Sequence, residues 1–172
     1  WADYRIDEGK GIMLWNNQNG AYGSATSGSG DSNFDNISYK KKGFAQASSV
    51  VGYMESHDEE RMMYRNLSSD ESNGDYKVND LKTGLQRTET AGAFFFTVPG
   101  PKMIWQFGEL GYDISINQGG RTGNKPILWE YYDDPDRKAL YDTWSELIRL
   151  KIEQPIFKTW DFTLKTGASN GL

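Results

Sequence analysis

The residues best suited to chemistry are His57 and Asp58, which open a polar run directly after an apolar stretch at residues 50–54. His57 is the only histidine of the chain. An imidazole beside a carboxylate can exchange protons or hydrogen-bond a polar ligand. The plain alternative is a solvated helix start, because acidic side chains favour helix N-termini. The apolar stretch predicts a buried strand that ends at the pair, and this position favours a functional site.

Three short apolar stretches, at residues 11–15, 50–54 and 102–107, predict strands separated by helical or polar segments. This order predicts a parallel sheet, whose carboxyl-terminal loops carry the chemistry in α/β proteins. Residues 20–36 are rich in Gly, Ser, Asn and Asp and predict a long surface loop. Residues 160–164 alternate between polar and apolar side chains, as an exposed antiparallel strand does.

Two helices have clear signals at their ends. Asp80 predicts the N-cap of a helix that continues to Phe96. Asp134 and Pro135 predict the cap and first residue of a second helix, which Pro155 ends. The predicted fold class is therefore α/β.

The overall composition excludes several classes of function. The 172 residues include 19 Lys and Arg against 24 Asp and Glu, a net charge of −5, which disfavours broad contact with a phosphate backbone. The chain has no cysteine, so disulfides, thiolate metal sites and cysteine nucleophiles are excluded. No apolar run is long enough to predict a membrane span.

The order of motifs resembles the alpha-amylase family of glycoside hydrolases. Members carry an apolar strand that ends in Asn-His-Asp, often with Arg three residues after the Asp. The segment VVGYMESHDEER at residues 50–61 matches this pattern, with Ser56 in the place of Asn. Residues 92–111 resemble the helix, Pro-Gly turn, strand and Gly-Glu segment that follow, and residues 126–129 resemble the last barrel unit. Within the family the chain is similar to amylase-like proteins of the Bacteroidetes type.

The resemblance implies an architecture. Residues 1–154 would form part of a TIM (β/α)8 catalytic barrel, about strands six to eight with their helices. Residues 155–172 would begin a C-terminal antiparallel β-domain. Such a part of a barrel has open sheet edges and uncovered apolar surface. We therefore expect the remainder of the same barrel, or a neighbouring chain, to cover them.

The resemblance also implies a reaction, the retaining hydrolysis of α-1,4 linkages in starch-like glucans through a covalent glycosyl-enzyme. Asp58 would stabilise the transition state by binding sugar hydroxyls, and His57 would bind the same ring. Trp105 is a candidate for stacking on a sugar, and core packing is its alternative role. Glu109 is a candidate at the rim of the cleft, and a structural hydrogen-bond acceptor is the alternative.

Two further carboxylates, the nucleophile and the acid/base, are expected before Trp1. Arg5 and Asp7 have the Arg-x-Asp spacing of the family's nucleophile, but both carboxylates belong to strands that precede the His-Asp strand. The 172-residue segment alone is therefore predicted to be inactive. Pro101 and Lys102 replace the usual Thr-Pro, and residues 107 and 108 replace a Gly and an acidic residue, so the loop at residues 107–112 is expected to differ in shape.

Three other interpretations stay open: a glucan branching or transferring enzyme of the same family, a non-catalytic glucan-binding homologue, and an unrelated α/β domain with a chance His-Asp pair. No cofactor is predicted. The acidic loop at residues 31–35 lacks the oxygen-ligand pattern of a calcium loop, so no metal is assigned, although many family members hold structural calcium. Starch polymers cannot cross membranes, which predicts an exported or secreted parent protein.

Overall fold

The computed structural model describes residues 11–30 and 33–167, which form a mixed α/β fold. The Arg5–Asp7 spacing and the first two residues of the acidic loop lie outside the described residues. The strands are β1 Leu14–Asn17, β2 Val50–Tyr53, β3 Ser72–Asn73, β4 Tyr76–Lys77 and β5 Lys102–Met103. The helices are α1 Asn19–Ser27, α2 Met62–Leu67, α3 Leu81–Phe96 and α4 Pro135–Glu153. None of the helices among these residues is long and apolar enough to cross a membrane.

The predicted parallel sheet is present. It has three strands in the order β1-β2-β5, and both pairs are parallel. Leu14 is opposite Val50, and Gly52 is opposite Lys102. The crossovers pass through α1 and then through α2 and α3, so the carboxyl ends of all three strands meet at one edge. The strands β3 and β4 form a separate antiparallel hairpin.

Both helices with predicted ends are confirmed. The Asp80 carboxylate accepts a hydrogen bond of 3.0 Å from the Thr83 amide at the start of α3. The Asp134 carboxylate accepts two bonds of 3.0 Å from the first amides of α4, and Pro135 is the first helical residue. These caps satisfy amides that have no partner within the helix, which explains why the helices begin where they do.

The core lies where α3 packs against both α4 and α1. Tyr22 of α1 stacks on Phe34 with a centroid distance of 4.3 Å and meets Phe95 edge-on. Phe96 meets the Trp144 ring at 5.3 Å. A Cβ atom at Gly92 would lie 2.2 Å from Trp144 Nε1, so only glycine permits this close approach of α3 to α4.

The prediction of a continuous loop over residues 20–36 is wrong, because α1 occupies Asn19–Ser27. Its glycines and serines are poor helix formers in isolation. The helix forms because Tyr22 is completely buried against the other rings, a tertiary contact that local composition does not reveal. Gly28 ends it in the left-handed conformation, with φ of 74°.

Three predictions about strands also need correction. The alternating segment at residues 160–164 is not a strand; its rings pack on Tyr39 instead, and Thr166 bonds Asp35. Strand β5 contains two residues of the six predicted. Strand β1 was expected to be buried, yet the Trp15 side chain is 67% exposed, because β1 is an edge strand of the described sheet. The division at residue 154 and the barrel itself stay predictions.

Candidate active site

A cleft of about 440 Å³ opens at the carboxyl ends of β2 and β5. It contains His57, Asp58 and Trp105, three of the four residues predicted for the site. Its other lining residues come from the segments after β2 and β5 and from the loop at residues 115–125, which we call the rim loop. They are Ser56, Arg61, Gln106, Ile116, Arg121, Thr122, Gly123, Asn124 and Lys125.

His57 and Asp58 present their polar groups to solvent. The Nε2 atom of His57 lies 3.4 Å from the Asp58 carboxylate, and the two side chains are 71% and 63% exposed. The centroid of the imidazole ring is 5.7 Å from the centroid of the Trp105 ring, with the planes tilted by 47°. The cleft therefore combines an exposed carboxylate, an imidazole and an aromatic ring. These groups suit a ligand that has both hydroxyls and apolar C–H faces.

The turn that carries the pair is fixed from both sides. The Ser56 hydroxyl donates to Glu59 and accepts a 3.1 Å bond from the Asp58 amide. Asn17, the last residue of β1, donates a 2.5 Å bond to the other oxygen of Glu59. Side chains at the ends of two neighbouring strands thus hold the turn in place.

Glu55 and Arg61 form a buried pair beneath this turn. The Glu55 carboxylate accepts a 2.7 Å bond from the Met62 amide and lies 3.4 Å from the Arg61 guanidinium. Burial raises the pKa of Glu55, against the opposing effect of Arg61. The Arg61 guanidinium also lies 4.8 Å from the centroid of the Tyr112 ring. No role was predicted for Glu55 from the sequence, although its place at the end of a buried strand was a signal.

The rim loop is bound to the same turn at two points. The Glu60 carboxylate accepts bonds of 2.8 Å from the Ser115 hydroxyl and 2.9 Å from the Ile116 amide. Arg121 donates a 2.5 Å bond to the Asp58 carbonyl, and its guanidinium lies 3.9 Å from the Asp58 carboxylate. Arg121 was not predicted as a site residue. It lies in a Gly- and Asn-rich loop, and its contact with Asp58 joins two distant segments of the chain.

Lys125 gives the rim loop its shape. Its ammonium group donates to the carbonyls of Gln118, Gly120 and Gly123 at 2.8–3.0 Å. Three carbonyls on one cation fix the loop as a compact unit beside the cleft. The loop is therefore an ordered wall of the site despite its lack of helix or strand.

Glu109 does not line the cleft. It lies in the 3₁₀ turn Gly108–Leu110 and is partly buried, which raises the pKa of its carboxyl group. Phe107, the residue before this turn, has a φ of 60°, a left-handed conformation that is rare outside glycine. Its buried ring stacks with Tyr112, and this packing compensates for the strained backbone. The backbone of the loop at residues 107–112 therefore takes a left-handed turn at Phe107, and a difference in shape from the family stays a prediction.

Among residues 11–30 and 33–167, no three His, Asp or Glu side chains gather as the ligands of a metal ion would. A scan against models of known protein families gave no match, and a search of curated proteins gave none. The function is therefore argued from the geometry of the cleft.

Proposed function

We propose that this chain forms part of the active site of a retaining glycoside hydrolase that acts on α-1,4-linked glucans such as starch. The observation that carries the proposal is the convergence of His57, Asp58 and Trp105 in one cleft at the carboxyl ends of parallel strands. An exposed carboxylate binds sugar hydroxyls, and a ring beside it packs on the C–H face of the same sugar. The resemblance of residues 50–61 to the alpha-amylase family agrees with this chemistry.

In this proposal Asp58 stabilises the transition state. Positive charge develops on the sugar ring as the glycosidic bond breaks, and hydrogen bonds from the ring hydroxyls to a carboxylate become stronger at that moment. Interactions that strengthen only in the transition state lower the barrier directly. His57 donates a hydrogen bond to the same ring, and Trp105 supports it from one side.

The nucleophile and the acid/base belong, in this proposal, to strands encoded before Trp1. Strands β1, β2 and β5 are then about strands six to eight of a (β/α)8 barrel. The exposed apolar side chains Met13, Leu14 and Trp15 agree with this placement, because the adjoining barrel strand would cover them. The parent protein is exported in this view, since starch polymers stay outside the cell.

Ligand binding tests the site in the 172-residue chain. Maltoheptaose should shift the NMR signals of the His57 ring and quench tryptophan fluorescence. Asp58→Asn and His57→Ala should each weaken binding about tenfold. The first replaces a charged acceptor of sugar hydroxyls by a neutral one, and the second removes the imidazole that bonds the same ring. Asp75→Asn is the matched control, because Asp75 is exposed in the hairpin turn outside the cleft. Binding that survives both cleft substitutions contradicts the proposed site.

Hydrolysis tests the reaction in the complete polypeptide that the gene encodes. Asp58→Asn should lower the release of reducing sugar from soluble starch by about 10²-fold or more, with a smaller change in KM. The 172-residue chain alone should release none. Iodine staining compared with reducing-end counts separates hydrolysis from branching. Starch hydrolysis by the complete polypeptide that is unaffected by Asp58→Asn would overturn the proposed role.

A further inference from the structure

The space next to Gly108 is occupied by a carboxylate from another strand. A Cβ atom built on Gly108 would lie 2.8 Å from the Glu55 Oε2 atom, closer than real Cβ atoms approach such a neighbour. Gly108 is itself buried. A side chain at residue 108 and the Glu55 carboxylate therefore compete for one position, and glycine leaves that position to Glu55.

The carboxylate in this position joins the two ends of the segment that carries His57 and Asp58. Glu55 directly follows Met54 at the carboxyl end of β2, and its partners, Arg61 and the Met62 amide, stand at the start of α2. The side chains of His57 and Asp58 lie between these ends and are 71% and 63% exposed. The bonds of Ser56 and Arg121 hold the turn at the surface, and Glu55 closes it from beneath.

Arg61 transmits this closure to the cleft. Its guanidinium is buried between the Glu55 carboxylate and the Tyr112 ring, yet the residue lines the cleft three positions after Asp58. The described charged groups that act on Glu55 are Arg61, which favours its ionised form, and Glu109, which opposes it. Without a carboxylate here, the Arg61 charge would be left buried and unpaired.

We propose that Glu55 is a positioning residue, which sets His57 and Asp58 in the cleft by holding Arg61. The requirement is for a carboxylate at this point in space, so an acidic side chain introduced at residue 108 can take its place. The inference rests on the proposed sugar site for its ligand, but it concerns a different part of the structure. It assigns a function to a carboxylate that never touches the substrate.

A reciprocal exchange tests it. The variants are Glu55→Ala, Gly108→Asp, and the two combined, each measured for maltoheptaose affinity and thermal unfolding. Glu55→Ala should weaken binding about tenfold, because the Arg61 charge left buried without its partner would displace the segment that carries His57 and Asp58. Gly108→Asp alone should also weaken binding, because two carboxylates would crowd one space. The combined variant should restore affinity to within about threefold of the original.

Glu55→Gln provides a second test of the inference if Glu55→Ala does not fold. Glutamine keeps the acceptor for the Met62 amide but removes the charge that pairs with Arg61, so binding should fall while the chain stays folded. Full affinity in Glu55→Gln, or a combined variant no better than the product of the two single losses, overturns the inference. A stability loss without any change in affinity overturns it as well.

The NMR signal of the His57 ring separates this inference from the proposed function. The signal should move in Glu55→Ala and return in the combined variant, even without sugar. If maltoheptaose binds no variant, including the original chain, the proposed function fails while the His57 signal still decides the role of Glu55. A His57 signal that stays unchanged in Glu55→Ala, Gly108→Asp and Glu55→Gln overturns the positioning role.

Discussion

The helix layer and the cleft are built on different physical principles. Where α3 and α4 pack together, rings such as Phe95 and Trp144 are buried and their positions depend on shape. In the cleft, His57, Asp58 and Arg121 are exposed, and hydrogen bonds between segments set the geometry. The contrast predicts that substitutions in the helix layer lower stability and that substitutions in the cleft weaken ligand binding, each with little effect on the other property.

The largest effect on stability is expected for Phe95→Ala in the helix layer. Phe95 is fully buried against Tyr22 and Phe96, so its truncation leaves a cavity and should lower the free energy of unfolding by about 3–5 kcal/mol. Urea denaturation measures the change. Ile156→Ala is the control, because that side chain is 68% exposed and its loss should cost less than about 0.5 kcal/mol.

The same Phe95 variant tests the separation of the two regions. Well below its unfolding transition, it should bind maltoheptaose with an affinity within about twofold of the original chain. A large loss of affinity would show that the ring packing also shapes the cleft, and the contrast between the regions would fail.

A smaller effect is expected at Lys151 of α4, and it depends on pH. The Lys151 ammonium donates a 2.7 Å bond to the Val98 carbonyl, and partial burial lowers its pKa from 10.5 to about 8. Between these values the unfolded chain holds a proton that the folded chain has released, so stability rises with pH. Below about pH 8 both states are protonated and the gain is absent.

Lys151→Met should reduce this rise but not abolish it, because burial also lowers the pKa of Lys102 and gives a change of the same sign. The original chain should gain no more than about 2 °C in Tm as the pH rises from 8 towards 10, because Lys151 keeps part of its solvation. Lys82→Met is the matched control, since Lys82 is exposed on α3. Calorimetry measures Tm between pH 8 and pH 10. Identical profiles of Tm against pH for the original chain and Lys151→Met would show that Lys151 does not titrate in this range.

The smallest effect on stability is expected for Arg121→Gln in the rim loop. Its side chain is 58% exposed, so the free energy of unfolding should change by less than about 0.5 kcal/mol. Maltoheptaose affinity should still fall about fivefold, because the bond to the Asp58 carbonyl is lost. Arg149→Gln, an exposed arginine of α4, serves as the control and should change neither quantity. If Arg121→Gln and Arg149→Gln change the maltoheptaose affinity equally, Arg121 has no role in the proposed site.

Local signals in the sequence predicted the elements that local physics controls. The caps at Asp80 and Asp134 act within one turn of helix, and both helices were located correctly from them. The His-Asp pair was predicted because it follows an apolar strand and resembles a family motif, and Trp105 because its ring could stack on a sugar; all three line the cleft. The parallel order followed from the alternation of apolar stretches and helices.

Features that depend on distant contacts were missed. Helix α1 forms because Tyr22 is buried by rings of other segments, which outweighs its Gly- and Ser-rich composition. The segment after Trp160 reads as a strand but has no strand to pair with among the described residues, and its rings pack on Tyr39. Arg121 lies 63 positions after the residue it binds, a distance no local pattern spans.

The bonds that enclose the cleft have a consequence for the order of folding. Asn17 and Glu59 are 42 positions apart, Glu60 and Ser115 are 55 apart, and Asp58 and Arg121 are 63 apart. Closing such long stretches of chain is slow, because the entropy of the intervening residues must be lost before the contacts form. Helices α3 and α4, which are stabilised locally, are expected to form early. The cleft is then the last part of the molecule to take shape and the first to be lost.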